Sequence, residues 1–116
     1  YAARANLRPV LLAGATPGGQ LTKTSDVENF PGFREAIAGP KLMDEMIEQA
    51  TACGADVIFE SAETVSVKAR PFTVTYGGGQ KLETHTLIYA TGATPRWLGL
   101  PGEAEPLAVE REGSGE

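Results

Sequence analysis

Hydrophobic and polar positions change period several times along the chain, and each change predicts an element. Tyr1–Asn6, rich in Ala and Arg, reads as the closing turns of a helix. Arg8-Pro9 ends it, since proline disfavours helical backbone in the residue before it. Val10–Ala13 is a short continuous apolar run, the pattern of a strand buried on both faces. Gly14 closes it, and a long loop is expected from about Gly14 to Ala38, a length that in compact domains tends to be functional. Gly39-Pro40 then starts a helix, with Leu42, Met43, Met46, Ile47 and Ala50 on one face at helical spacing. Gly54 sits where a left-handed C-terminal cap is wanted, and Cys53 reads as a small buried hydrophobe.

Val57–Phe59 is a second strand of the buried type. The period then drops to two over Thr64–Lys68, Phe72–Tyr76 and Lys81–Thr84, with turns at Arg70-Pro71 and Gly77–Gly79. This pattern predicts a three-stranded antiparallel β-meander inserted into an otherwise parallel α/β arrangement. Leu87–Ala90 returns to the buried-strand type and ends at Thr91-Gly92. From Gly102 onward the chain is rich in Glu, Gly and Ser, and 102–116 is expected to be a disordered tail.

Composition narrows the function classes more than it selects one. The net charge is -5 with scattered basic residues, so no nucleic-acid footprint is present. No apolar run approaches the ~20 residues of a membrane span. Cys53 is the single cysteine, so no internal disulfide can form and no metal-ligand spacing surrounds it. That usage suggests a reducing compartment.

Three segments could carry chemistry. Gly18-Gly19-Gln20 follows the first apolar strand, and ligands of parallel sheets bind outside the carboxyl ends of strands. Two residues without a Cβ let backbone approach a ligand, their N–H groups could meet phosphate oxygens, and Gln20 adds a donor and an acceptor. The same residues also suit an ordinary surface turn. Asp26–Gly32 offers Asn29 between the apolar anchors Val27 and Phe30, and there Asn29 could bind a polar ligand or simply satisfy its own backbone. Ala90-Thr91-Gly92-Ala93 lies at another strand exit, where small residues permit close approach. His85, the only histidine, has no acid or hydroxyl partner in sequence and is given no catalytic role.

Together these segments resemble one family. Tyr1–Leu12, Gly18–Thr22, Val27–Gly32, Gly39–Met43, Arg70–Phe72, Ala90–Ala93 and Trp97–Gly102 occur in the order found in the low-molecular-weight thioredoxin reductases, from Tyr1 to about Gly102. The resemblance implies an α/β fold: a partial Rossmann-like FAD-binding domain over 1–101, carrying the meander. It implies an FAD site in which Ala13, Gly14, Gly18 and Gly19 lie along the adenosine and pyrophosphate side. Gln20, Leu21 and Asn29 would reach toward the ribityl chain and flavin, Val65 would meet adenine through its backbone, and Ala90, Thr91 and Gly92 would pack near the cofactor. Neither Ala13 nor Gly14 supplies the carboxylate that many related flavoproteins offer to the ribose.

The reaction so implied moves hydride from NADPH to FAD, then electrons to a Cys-x-x-Cys disulfide and finally to thioredoxin. The chain carries neither the family's glycine-rich pyrophosphate turn nor its Cys-x-x-Cys pair, and Cys53 cannot replace two poised thiols. It is therefore read as a piece of a thioredoxin reductase: inactive alone, a poor binder of FAD, with no catalytic residue of its own. The family further implies homodimers and a cytoplasmic location, with plastid or mitochondrion as alternatives. Two other readings stay open: a segment of another pyridine nucleotide-disulfide oxidoreductase-like flavoprotein, and a non-catalytic domain derived from one.

Overall fold

The computed structural model describes residues 1–94 and 96–100; the tail expected over 102–116 lies outside the described residues. The elements run β1 (Val10–Leu12), a 3-10 helix (Gly19–Lys23), β2 (Asp26–Val27), β3 (Ile37–Ala38), α1 (Gly39–Ala52), β4 (Asp56–Ile58), β5 (Ala62–Ser66), β6 (Phe72–Tyr76) and β7 (Gln80–Thr84). β1 and β4 pair in parallel, β2 and β3 pair antiparallel, and β5-β6-β7 form an antiparallel sheet. This is the mixed α/β fold with a three-stranded meander that the pattern predicts.

α1 forms where the apolar stripe is. Pro40 stands in its first turn, where a missing N–H breaks no helical bond. Its end follows from Gly54, whose φ of 94° is left-handed. That turn lets Gly54 N–H donate to the Thr51 carbonyl (2.8 Å) and Ala55 N–H to the Ala50 carbonyl (3.0 Å), the paired bonds of a Schellman cap. Leu42 is only 1% exposed and packs with Val27 and Ile37. The rest of the stripe is covered less well: Met43 and Ile47 are half-buried and Met46 is exposed.

Several expectations are corrected. The span 14–38 is not one loop, because the 3-10 helix and the β2–β3 hairpin organise it, and Val27 and Ile37 supply two of the three residues around Leu42. Tyr1–Leu7, by contrast, closes as expected of a helix end: Ala5 N–H donates to the Tyr1 carbonyl (3.0 Å), Asn6 N–H to the Ala3 carbonyl (2.9 Å) and Leu7 N–H to the Ala2 carbonyl (3.2 Å), with Asn6 left-handed at φ 59°. Val10 and Leu11 are 42% and 46% exposed in place of buried, because among the described residues β4 is the one strand paired with β1 and α1 packs against β4. Phe59 lies beyond β4, exposed. Leu87–Ala90 forms no strand, and Ile88 and Tyr89 are 80% and 83% exposed; with no neighbouring strand, an apolar run has no ladder to join. Cys53 is exposed at the helix end and is not part of the core.

The meander sits on its own register. Val65 pairs with Val74, and Val74 with Leu82; the period-two apolar positions thus share one face. β5 begins earlier than the alternation indicates, because a bulge between Ala62 and Thr64 extends the pairing back to Tyr76. The Gly77–Gly79 turn closes with Gly79 N–H on the Tyr76 carbonyl (3.2 Å) and Gly78 N–H on Glu63 Oε1 (2.8 Å). Arg70-Pro71 is a cis peptide, and the Arg70 guanidinium lies 5.0 Å from the Phe72 ring centre. No helix among the described residues is long and apolar enough to cross a membrane.

Candidate functional site

The parallel pair delivers the chain to the site. Beyond β1, Ala13 N–H donates to the Ile58 carbonyl (2.8 Å) and Gly14 N–H to the Glu60 carbonyl (3.2 Å). Pairing therefore persists to Gly14, whose φ of 73° turns the chain away. The 3-10 helix follows, with Gly18 at its start (φ 89°) and Gly19 next (φ 58°). Its own hydrogen bonds make it rigid. Gly19 N–H donates to the Thr16 carbonyl (3.2 Å), Thr22 Oγ1 to the Gly19 carbonyl (2.8 Å), and Thr24 N–H to the Leu21 carbonyl (3.1 Å). The Gly19 N–H is thus bonded inside the loop.

One bond joins this loop to the far end of the fold. Gln20 Nε2 donates to the Ala93 carbonyl at 2.8 Å, across a sequence separation of 73. It places the Gly18–Leu21 loop beside the Ala90-Thr91-Gly92 segment, although the run before that segment forms no strand. Gln20 keeps its second amide proton and its Oε1 for another partner. At both Gly19 and Gly92 the position a Cβ would take has nothing within 4 Å, so each backbone borders open space.

The other expected residues are less closely drawn in. Asn29 is exposed in the loop between β2 and β3, and Val65 is exposed on β5. Among the described residues no hydrogen bond ties either to Gln20 or Gly92. Ala93 and Thr22 enter the site through their bonds, although the carried-over set did not include them. Thr22 had a signal, a hydroxyl one 3-10 turn after Gly19. Gly39 also belongs here: an added Cβ would collide with the Leu21 carbonyl oxygen.

Chemically, the assembled residues are amides, hydroxyls and glycines. None of Ala13, Gly14, Gly18–Leu21 or Ala90–Gly92 titrates near neutrality, so this surface can hold and orient a group but cannot transfer a proton to it. His85 is exposed beyond β7. Among the described residues, no cluster of His, Cys, Asp or Glu could hold a metal ion.

The model of the pyridine nucleotide-disulphide oxidoreductases matches residues 1–112. The chain belongs to that family. It is 49% identical over 105 residues to a thioredoxin reductase of Rickettsia bellii, a match covering 90% of this chain and 34% of that protein. It is 51% identical over 109 residues to NADPH-dependent thioredoxin reductase 3 of Arabidopsis thaliana, covering 90% and 20%. Among solved structures, the thioredoxin reductase from Giardia duodenalis superposes with a TM-score of 0.78 at 41% identity, covering 84% of this chain and 32% of that one. The Lactococcus lactis thioredoxin reductase gives 0.78 at 32% identity, covering 89% and 33%. The chain thus spans about a third of the Rickettsia, Giardia and Lactococcus relatives. The resemblance read from the ordered motifs is borne out.

Proposed function

We propose that this family member supplies part of the FAD cradle of an NADPH-dependent thioredoxin-disulfide reductase. The observation that carries the reading is the Gln20–Ala93 hydrogen bond, which gathers the β1-exit loop and the Thr91-Gly92 segment at one place. The residues fit such a group: Gly19 and Gly92 border open space, and Gln20 retains a donor and an acceptor beyond its bond to Ala93. When bound, FAD would take a hydride from NADPH and pass electrons on toward the disulfide of thioredoxin.

The chain's own residues bind and orient. Gly19 and Gly92 let backbone lie against the cofactor, Gln20 and Asn29 offer amides to its hydroxyls or carbonyls, and Ala13 and Gly14 line the adenosine side. Val65 stands for the adenine contact through its backbone. None of these residues can exchange a disulfide, and Cys53 is the single thiol of the sequence.

Titration with FAD, followed by flavin fluorescence and visible circular dichroism, tests the proposal. Weak but saturable binding is expected. Gly19→Val and Gly92→Val should each weaken it about tenfold, the equivalent of ~1.4 kcal/mol. Absence of saturation at millimolar FAD, or an affinity in both valine variants unchanged from that of the unsubstituted chain, overturns it.

A further inference from the structure

We propose that Gly39 is the positioning residue of the Gln20 loop: the missing side chain at the start of α1 seats the 3-10 helix so that Gln20 reaches Ala93. The inference rests on the cofactor reading above and adds a residue outside the two segments that define it.

Gly39 has no positive φ, so conformational freedom does not explain it; space does. It is buried. A Cβ there would run into the Leu21 carbonyl oxygen and would lie 2.8 Å from the Thr24 carbonyl oxygen and 3.0 Å from the Leu21 carbonyl carbon. These neighbours are backbone and cannot swing aside as a flexible side chain would. The Gly39 N–H also donates to the Thr24 carbonyl (3.3 Å). One helical turn further on, Met43 makes the matching contact. A Cβ on Gly18 would fall 2.8 Å from Met43 Cγ and 2.6 Å from Thr22 Cγ2. Two close approaches, both on the same face of α1, therefore bracket Gln20 from either side.

That seat matters because the Gln20 side chain is exposed and long. A glutamine loses much rotamer freedom on fixing its amide, so a single exposed hydrogen bond holds only if the backbone beneath it is already in place. Gly39 and Met43 fix that backbone. Helix propensity alone makes alanine the better residue at position 39, so a loss on substitution reports the contact and not the helix.

NMR on the full 116-residue chain tests this. In the unsubstituted chain the Gln20 Nε2 proton bonded to Ala93 should be shifted downfield and slowed in exchange with water. Gly39→Ala should abolish that signature while the Val74 amide stays protected. Coupling is reciprocal, so Gln20→Glu, an exposed change that alters neither Gly39 nor Met43, should speed exchange of the Gly39 amide by about fivefold or more. An unaltered Gln20 resonance in Gly39→Ala overturns the proposal. Should Gly39→Ala unfold α1, seen as lost protection at Leu42, the Gln20→Glu variant decides alone, and an unchanged Gly39 amide then overturns it. FAD titration of Gly39→Ala keeps the two readings apart. If the Gln20 signature is lost while affinity for FAD is unchanged, the positioning role stands and the cradle reading falls.

Discussion

The meander β5–β7, whose strands alternate polar and apolar residues, and the parallel pair β1–β4, built on short apolar runs, reach different states. In the meander, each strand finds its partner across a short turn, and one face collects Val74 and Tyr76, both buried. In the parallel pair, the partners meet only after a crossover through the 3-10 helix, the β2–β3 hairpin and α1, and Val10 and Leu11 remain nearly half exposed. An antiparallel sheet needs one covered face, whereas parallel strands are built for two. The difference teaches that an apolar run states what a strand requires of its surroundings, while alternation states what it already has.

This contrast can be broken, starting with the substitution of largest expected effect. Leu42→Ala removes the most buried side chain of the α1 cluster and should cost about 2–5 kcal/mol. Amide exchange should show the loss in α1 and β2–β3, with β6 still protected. Val74→Ala should cost about 2 kcal/mol and do the reverse, loosening β5–β7 while the Leu42 amide keeps its protection. If either variant exposes both regions equally in hydrogen exchange, they form one cooperative unit and the contrast fails. Lys41→Ala sharpens the scale at its low end. The Lys41–Glu45 pair is 3.9 Å apart and exposed, so urea midpoints should move by no more than the equivalent of about 0.5 kcal/mol.

What was legible in the sequence follows the same division. α1 could be read because its stripe repeats at helical spacing and Gly54 marks its end. The meander could be read because alternation over five residues has no helical counterpart. The 3-10 helix and the two-residue strands β2 and β3 could not, since segments so short complete no period. The exposure of Val10, Leu11 and Ile88 was equally illegible: it depends on which layers are present, and apolar content is silent about that. At the site, the Gln20 loop could be read because it follows the exit of β1, whereas Thr91-Gly92 follows an apolar run that forms no strand and is read from its small residues alone. Gly39 could not be read, because a carbonyl brought close through space leaves no trace in residue spacing.

The Gln20–Ala93 bond has one further consequence, for how tolerant the molecule is of change in length. A tie between positions 73 apart spans the β2–β3 hairpin, α1, β4, the whole meander and the run after it. The entropy of closing such a span grows only logarithmically, by about 0.6 kcal/mol for each doubling. Extra residues at the Gly77–Gly79 turn would therefore burden the tie very little. Natural variation can lengthen or reshape the meander while the two ends of the span still meet, leaving the glutamine's grip to be governed by the few residues directly beneath it.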